Sequence, residues 1–277
     1  MRSHFSLNSA AVTACAVSGA TTMLSGICSA QSFIAADYAT NSTYAGGWSA
    51  GQNGGFGFNS WSFGGTTGSA VQQGINNSSS FNHLGTAWTL FNPLGTPAGT
   101  DLAQAGRGFA PLQVGQTFET VINNPTARNF YRGYTIRLAS GTDNSAVERF
   151  AAYTFEYFSN GRWFTGTGTG NNSTSLFDTD TAAAGMRLDF TLTGADSYHL
   201  SMTPLANPAN AYTENGTLKN SGPVDYVLFQ LYDAQSDPTK ATDFYVSSIT
   251  ISSIPEPSSL GLLGLGSAGF LFMRRRK

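Results

Sequence analysis

Cysteine is nearly missing from this chain: its only two, Cys15 and Cys28, both fall within the first thirty residues. From Gln31 onward no disulfide, thiolate nucleophile or cysteine metal site is available, so whatever folds there must be held by a hydrophobic core. Histidine is scarce as well, with only His83 and His199 beyond the first thirty residues. Charged residues make up 11% of the sequence and form no long run before the last four positions. No stretch carries a convincing helical period, and the Glu and Lys that cover exposed helices are few. Between residues 31 and 254, nine Lys and Arg stand against fifteen Asp and Glu, a net charge near −6 compared with −2 for the whole chain. Without a basic patch this region is not suited to nucleic acid or to an anionic surface.

What the chain does have is 32 Gly, 20 Phe, 11 Tyr and 4 Trp on a background rich in Ser, Thr and Asn. So much aromatic surface would not stay in water, which rules against disorder, and the turn formers between short apolar runs predict strands. Residues 44–68 place Phe56 and Phe58, then Trp61 and Phe63, in alternation between glycines, the pattern of strands joined by loose turns. Further strands are predicted at 87–91 and 117–122, and around Tyr134, Ile136 and Leu138. Asn160-Gly161 between aromatic runs marks a hairpin. Met186, Leu188, Phe190 and Leu192 alternate with polar residues, and after Gly194-Ala195-Asp196 the alternation resumes at Tyr198, Leu200 and Met202, a second hairpin with one buried face. Residues 224–232 are apolar on both faces and predict a central strand, and 244–251 close the series. The expected fold class is all-β, an antiparallel two-sheet jelly-roll sandwich over residues 31–253.

The two ends do not fit that domain. Arg2 and His4 precede a run of small and apolar residues, 10–27, that ends in Cys28-Ser29-Ala30. This is the layout of a secretory signal peptide over 1–30, cut by signal peptidase between Ala30 and Gln31; Val12-Thr13-Ala14-Cys15 leaves a lipobox as the alternative. At the other end, residues 254–277 hold Pro255-Glu256-Pro257, an uncharged apolar block over 258–273, and Arg274, Arg275, Arg276 and Lys277. As a helix the block is ~24 Å long, short of the ~30 Å hydrocarbon core, which makes it a weak transmembrane helix. The basic cluster anchors its end in the cytoplasm, so the rest of the chain is expected outside. Both termini predict the same topology.

This tail resembles the PEP-CTERM sorting signal of Gram-negative bacteria on Pro255, Glu256 and Pro257, then the apolar helix, then Arg274 to Lys277. The resemblance implies recognition by an exosortase, removal of the tail after a transient stay in the inner membrane, and a final place at the outer surface or in extracellular polysaccharide. The segments GWSAGQNGGFGFNSW, VGQTF and LDFTLTGADSYHLSMTPL resemble folded regions of other PEP-CTERM proteins, which are similar to concanavalin-like lectin domains. That likeness implies the fold, and a carbohydrate ligand only weakly.

Catalytic patterns are thin. Glu148 and Glu156 are separated by a predicted strand, Glu119 has no second acid on its own strand, and Asp189 reads as a lone carboxylate on a polar face. No pair is spaced for glycoside hydrolysis, and His83 and His199 lie near no nucleophile motif. Trp48, Trp61 and Trp163 offer flat faces on which a sugar ring stacks. Asp178 and Asp180 are spaced as hard-cation ligands, which makes Ca2+ the one cofactor to consider, although the remaining EF-hand ligands are missing. The expectation is a non-enzymatic, exported protein that binds polysaccharide. A divergent glycoside hydrolase or lyase and a purely structural coat protein are the alternatives.

Overall fold

The computed structural model describes residues 32–65, 72–77, 85–92, 101–123, 132–141, 143, 146–155, 162–166, 175–178, 185–233 and 242–253. Among them are fifteen strands: β1 (Ser32–Tyr38), β2 (Ser62–Gly65), β3 (Gln72–Asn76), β4 (Ala87–Asn92), β5 (Asp101–Gly108), β6 (Gln116–Asn123), β7 (Arg132–Ser140), β8 (Val147–Phe155), β9 (Arg162–Gly166), β10 (Ser175–Asp178), β11 (Met186–Gly194), β12 (Ser197–Pro204), β13 (Tyr212–Thr217), β14 (Tyr226–Asp233) and β15 (Thr242–Ser253). They form two antiparallel sheets. The first runs β13-β12-β11-β6-β15-β4-β3, with β1 also paired to β15; the second runs β10-β9-β8-β7-β14-β5-β2. The expected all-β, two-sheet sandwich is what the chain adopts. No described helix is long and apolar enough to cross a membrane; 258–273 and the signal-peptide residues, Ala30 and Gln31 included, lie outside the described residues.

The hairpin predicted from the alternation at Met186 is β11–β12, in which Leu188 faces Met202 and Phe190 faces Leu200. Its apolar face enters the core with Phe118 and Ile122 of β6 and Ile249 and Ile251 of β15. Opposite lie Ile136 and Leu138 of β7 and Val227, Phe229 and Leu231 of β14. Strand β14 is central, between β5 and β7, as its two apolar faces require. The Asn160-Gly161 hairpin pairs β8 with β9, its turn lying outside the described residues.

The aromatic, glycine-rich segment differs from expectation. Among its described residues, 44–65, only Ser62–Gly65 form a strand. The others form a loop that follows a 3-10 turn (Ser42–Tyr44) and makes two isolated bridges, Ala36 to Phe56 and Phe58 to Phe109. Its glycines allow the loop to lie directly against β1. A Cβ on Gly55 would sit 1.9 Å from the Ala36 carbonyl oxygen, and Gly57, at φ +76°, would place one 2.5 Å from that of Ile34. Close approach, not strand pairing, explains this composition.

The same loop surrounds a buried ion pair that joins the sheets. Asp37 of β1 and Arg107 of β5 are both fully enclosed, with Nη1 2.5 Å from Oδ2. Tyr44 donates its hydroxyl proton to the same Asp37 oxygen at 2.5 Å, and the Tyr38 amide donates to Oδ1. Arg107 also donates to the Asn59 carbonyl and to Asn53 Oδ1, and its guanidinium lies 4.9 Å from the Phe58 ring centre and 4.7 Å from that of Trp61. Burial, reinforced by Asp37, pushes the Tyr44 phenol up to about 12, so it stays a donor. Two further links join the sheets. Buried Arg149 of β8 reaches Asp196 at the β11–β12 turn, 2.5 Å away. Glu214 of β13 accepts hydrogen bonds from Tyr198, Tyr212 and Thr165.

Candidate functional site

Strand pairing places side chains that share a register on the same face of a sheet. On the face of the first sheet turned away from the core, one row reads Thr213, Ser201, Asp189, Glu119 and Thr250, one residue from each of β13, β12, β11, β6 and β15. A row on one side carries Asn215, His199, Thr191, Thr117 and Ser252; on the other side are Thr203, Arg187, Val121 and Ser248. Arg187, Thr213 and Asn215 are exposed and Glu119, Asp189, Thr117, Thr191, His199 and Ser201 half-buried, whereas Val121, Thr203 and the hydroxyls of β15 are nearly enclosed. Neighbouring polar groups hold one another in place: Thr117 and Thr191 share a hydrogen bond of 2.7 Å, and His199 Nδ1 lies 3.0 Å from Asn215 Oδ1.

Two carboxyl groups stand side by side at the centre of this face. Glu119 and Asp189 are direct cross-strand partners. The Arg187 Nε lies 2.9 Å from the other side of Asp189. Partial burial raises both acids above the ordinary carboxylate range. For Glu119 the Asp189 charge raises the value further, while Arg187 opposes the rise at both acids. The two are close enough to titrate as a pair, with protonation of either one favoured by burial and opposed by Arg187. Asp189 is therefore not the lone carboxylate its own strand indicates. The second acid comes from β6, some seventy residues earlier in the chain, through a register that neither segment reveals alone.

The tryptophans expected to stack on sugar have other places. Trp48 and Trp61 are buried, at 5% and 2% relative exposure. Trp48 meets Trp61 edge to face at 5.0 Å and Phe63 at 4.8 Å, and Trp61 meets Trp88 at 5.1 Å. Their faces are taken up by other rings, so they build the core instead of a binding platform. Trp163 lies in β9 opposite Thr154, but its side chain is outside the described ones. The same holds for Asp178 in β10, while Asp180 lies outside the described residues altogether. Among the described residues no three His, Cys, Asp or Glu side chains gather as metal ligands. Glu148 is committed to Arg137 and Lys219. A depression of about 240 Å³ beside the 39–45 loop is lined by Thr40, Asn41, Ser42 and Asn77 among others, with no charged group. The sorting residues Pro255, Glu256, Pro257, Arg274, Arg275, Arg276 and Lys277 lie outside the described residues.

Comparison with known proteins bears on both parts of the chain. Residues 253–277 match the PEP-CTERM protein-sorting motif. No curated protein matches the chain in sequence. Solved structures similar to it include lectin I-B4 from Griffonia simplicifolia, at 10% identity and a TM-score of 0.43 over 70% of this chain and 92% of that one. An endo-β-1,4-glucuronan lyase from the fungus Trichoderma reesei gives 12% identity and a TM-score of 0.43 over 68% and 87%. A protein of unknown function from Shewanella oneidensis gives 13% identity and a TM-score of 0.49 over 86% and 96%.

Proposed function

We propose that this chain is an exported surface or matrix protein that binds polysaccharide, without catalysis, on the open face of β6, β11, β12 and β13. Its PEP-CTERM motif at 253–277 supplies the sorting half of this reading. The signal peptide over 1–30 starts export. Residues 258–273 then hold the chain in the inner membrane, with Arg274 to Lys277 in the cytoplasm, until an exosortase removes the tail near Pro255-Glu256-Pro257. The proline pair keeps Glu256 on a stiff, extended segment where a processing enzyme has access.

The observation that carries the binding half is the polar row Thr213, Ser201, Asp189 and Glu119, flanked by Arg187, His199 and Asn215. Sugar hydroxyls both donate and accept, and this face presents both kinds of partner at the spacing of adjacent strands. A polysaccharide has many equivalent sugars, so a shallow face engages it through repeated weak contacts. Glycan-array binding by the 31–254 fragment tests this. Binding that is lost in Arg187→Ala and Asn215→Ala, with thermal stability kept, supports the face; binding unchanged in both variants removes it from consideration.

A carbohydrate-active enzyme is the second reading, favoured by one observation: two carboxyl groups meet across β6 and β11 on a solvent-facing surface, where burial raises Glu119 toward what a general acid needs. The geometry weighs against hydrolysis. Retaining and inverting hydrolases hold their acids about 5 to 9.5 Å apart on either side of the glycosidic bond, whereas Glu119 and Asp189 are immediate cross-strand neighbours on one flat face. Release of reducing or unsaturated ends from a bound polysaccharide, abolished by Glu119→Gln, would establish the enzyme in place of the binder.

A further inference from the structure

The last described strand ends at Ser253, beside Ser32 of β1 and opposite Gln116 of β6. The sorting motif follows directly, and only Ile254, Pro255, Glu256 and Pro257 separate Ser253 from the apolar block that begins at Ser258. Four residues span at most about 14 Å even when fully extended. Whenever the block is in the membrane, this end of the sandwich is therefore held against the bilayer surface. The end is also where exposed apolar side chains gather. Of six exposed large hydrophobic residues among those described, Phe33 (52%), Ile34 (37%) and Val114 (61%) adjoin the chain exit. A bulge in the β1–β15 register between Phe33 and Ala35 inserts Ile34 beside Phe33. Val114 tips the tight turn that leads into Gln116. No charged residue occurs in 32–36 or 110–118, and Asp196 at the nearby β11–β12 turn is paired with Arg149.

We propose that Phe33, Ile34 and Val114 form a membrane-resting patch that dips into the lipid interface while the sorting tail is inserted. An apolar tip suits the boundary between headgroups and acyl chains, and the α-amino group that cleavage after Ala30 leaves on Gln31 has the headgroups within reach. The patch fixes how the sandwich stands on the membrane. The β11–β12 turn lies at the bilayer end, and the 3-10 turn Pro208–Asn210, at the other end of β12, points away from it. It also holds the chain around Pro255 close to the membrane surface, where a membrane-embedded processing enzyme would meet it. The proposal rests on the reading of residues 258–273 as a membrane anchor and is independent of the carbohydrate reading.

The test uses residues 31–277, the chain as signal-peptide removal leaves it, in phosphatidylethanolamine–phosphatidylglycerol vesicles whose acyl chains are brominated near the interface. Phe33→Trp, Val114→Trp and the exposed control Ala209→Trp are compared, each after subtraction of the wild-type emission. Vesicle flotation comes first: protein that does not float overturns the anchor reading and this proposal together. In floated protein the indoles introduced at 33 and 114 lose most of their emission to bromine, and the one at 209 keeps its own. Equal emission at all three positions overturns the patch alone. Quenching that is absent from vesicles, with an emission shift that follows protein concentration or added polysaccharide, also overturns it and assigns the patch to a second copy or to a glycan.

Discussion

Replacing Arg107 with methionine removes the guanidinium that lies between the sheets while keeping much of its volume. Asp37 is then left fully buried without its cation, and Asn53 Oδ1 and the Asn59 carbonyl lose their donors. Breaking one side of a buried pair costs about 3–5 kcal/mol, because the remaining charge is neither solvated nor paired. Against a total stability of 5–15 kcal/mol for an ordinary domain, that is a large fraction. With a urea dependence of about 3 kcal/mol per molar for a chain of this size, the unfolding midpoint should fall by roughly 1–1.7 M. Tryptophan fluorescence reads the transition directly, since Trp61 stacks on the guanidinium and contacts Trp48 and Trp88. The double variant Asp37→Asn/Arg107→Met removes both charges while keeping an acceptor for the Tyr44 hydroxyl, and it should recover at least half of the loss. If Arg107→Met shifts the midpoint by less than ~0.3 M, or the double variant is no better than the single, the buried charge is not what the loop is organised around.

Other outcomes follow from the same structure. The raised acids Glu119 and Asp189 bind their proton more tightly folded than unfolded, so their stabilising contribution is complete below the ordinary carboxylate range and is lost as pH rises through the folded values. Melting temperature should therefore drop over that upward window in the wild type and flatten in Glu119→Gln; an unchanged slope would refute the raised Glu119. Gly55→Ala should destabilise by about 2–4 kcal/mol, since the new methyl group meets the Ala36 carbonyl and must break the Ala36–Phe56 bridge, whereas Gly46→Ala, with nothing within 4 Å, should cost under about 1 kcal/mol. Replacing Pro255-Glu256-Pro257 by alanines should leave the protein in the membrane fraction, and mass spectrometry of the native extracellular form should find no peptide from Leu260 onward. Unimpeded release of the alanine variant would count against exosortase processing.

Where one strand carries its own information, the sequence was sufficient. Met186 to Met202 alternates with period two, so the β11–β12 hairpin and its buried face follow from local order alone. The same is true of β14, whose two apolar faces place it between neighbours, and of the sorting tail, whose three parts lie in a row within twenty-four residues. Strand β5 was not legible, because its inward positions are Ala103 and Ala105 and its most buried charge, Arg107, reads as a surface residue. Residues 44–61 depart from expectation for a related reason. Alternating aromatics among glycines fit a strand or a loop pressed against one, and only the proximity of Ala36 to Gly55 decides between them.

The chemistry of the exposed face depended wholly on the tertiary structure. Asp189 and Glu119 are ordinary acids on separate strands until the β6–β11 register brings them together, and Trp48 and Trp61 are plausible sugar platforms until the sheets close over them. Sorting, fold class and the best hairpin rest on interactions between residues near in the chain, which a sequence displays. Carboxyl pairing, the Asp37–Arg107 bridge and the apolar end beside Ser253 rest on strands that meet only after long crossovers, and the free energy of packing two sheets selects those registers.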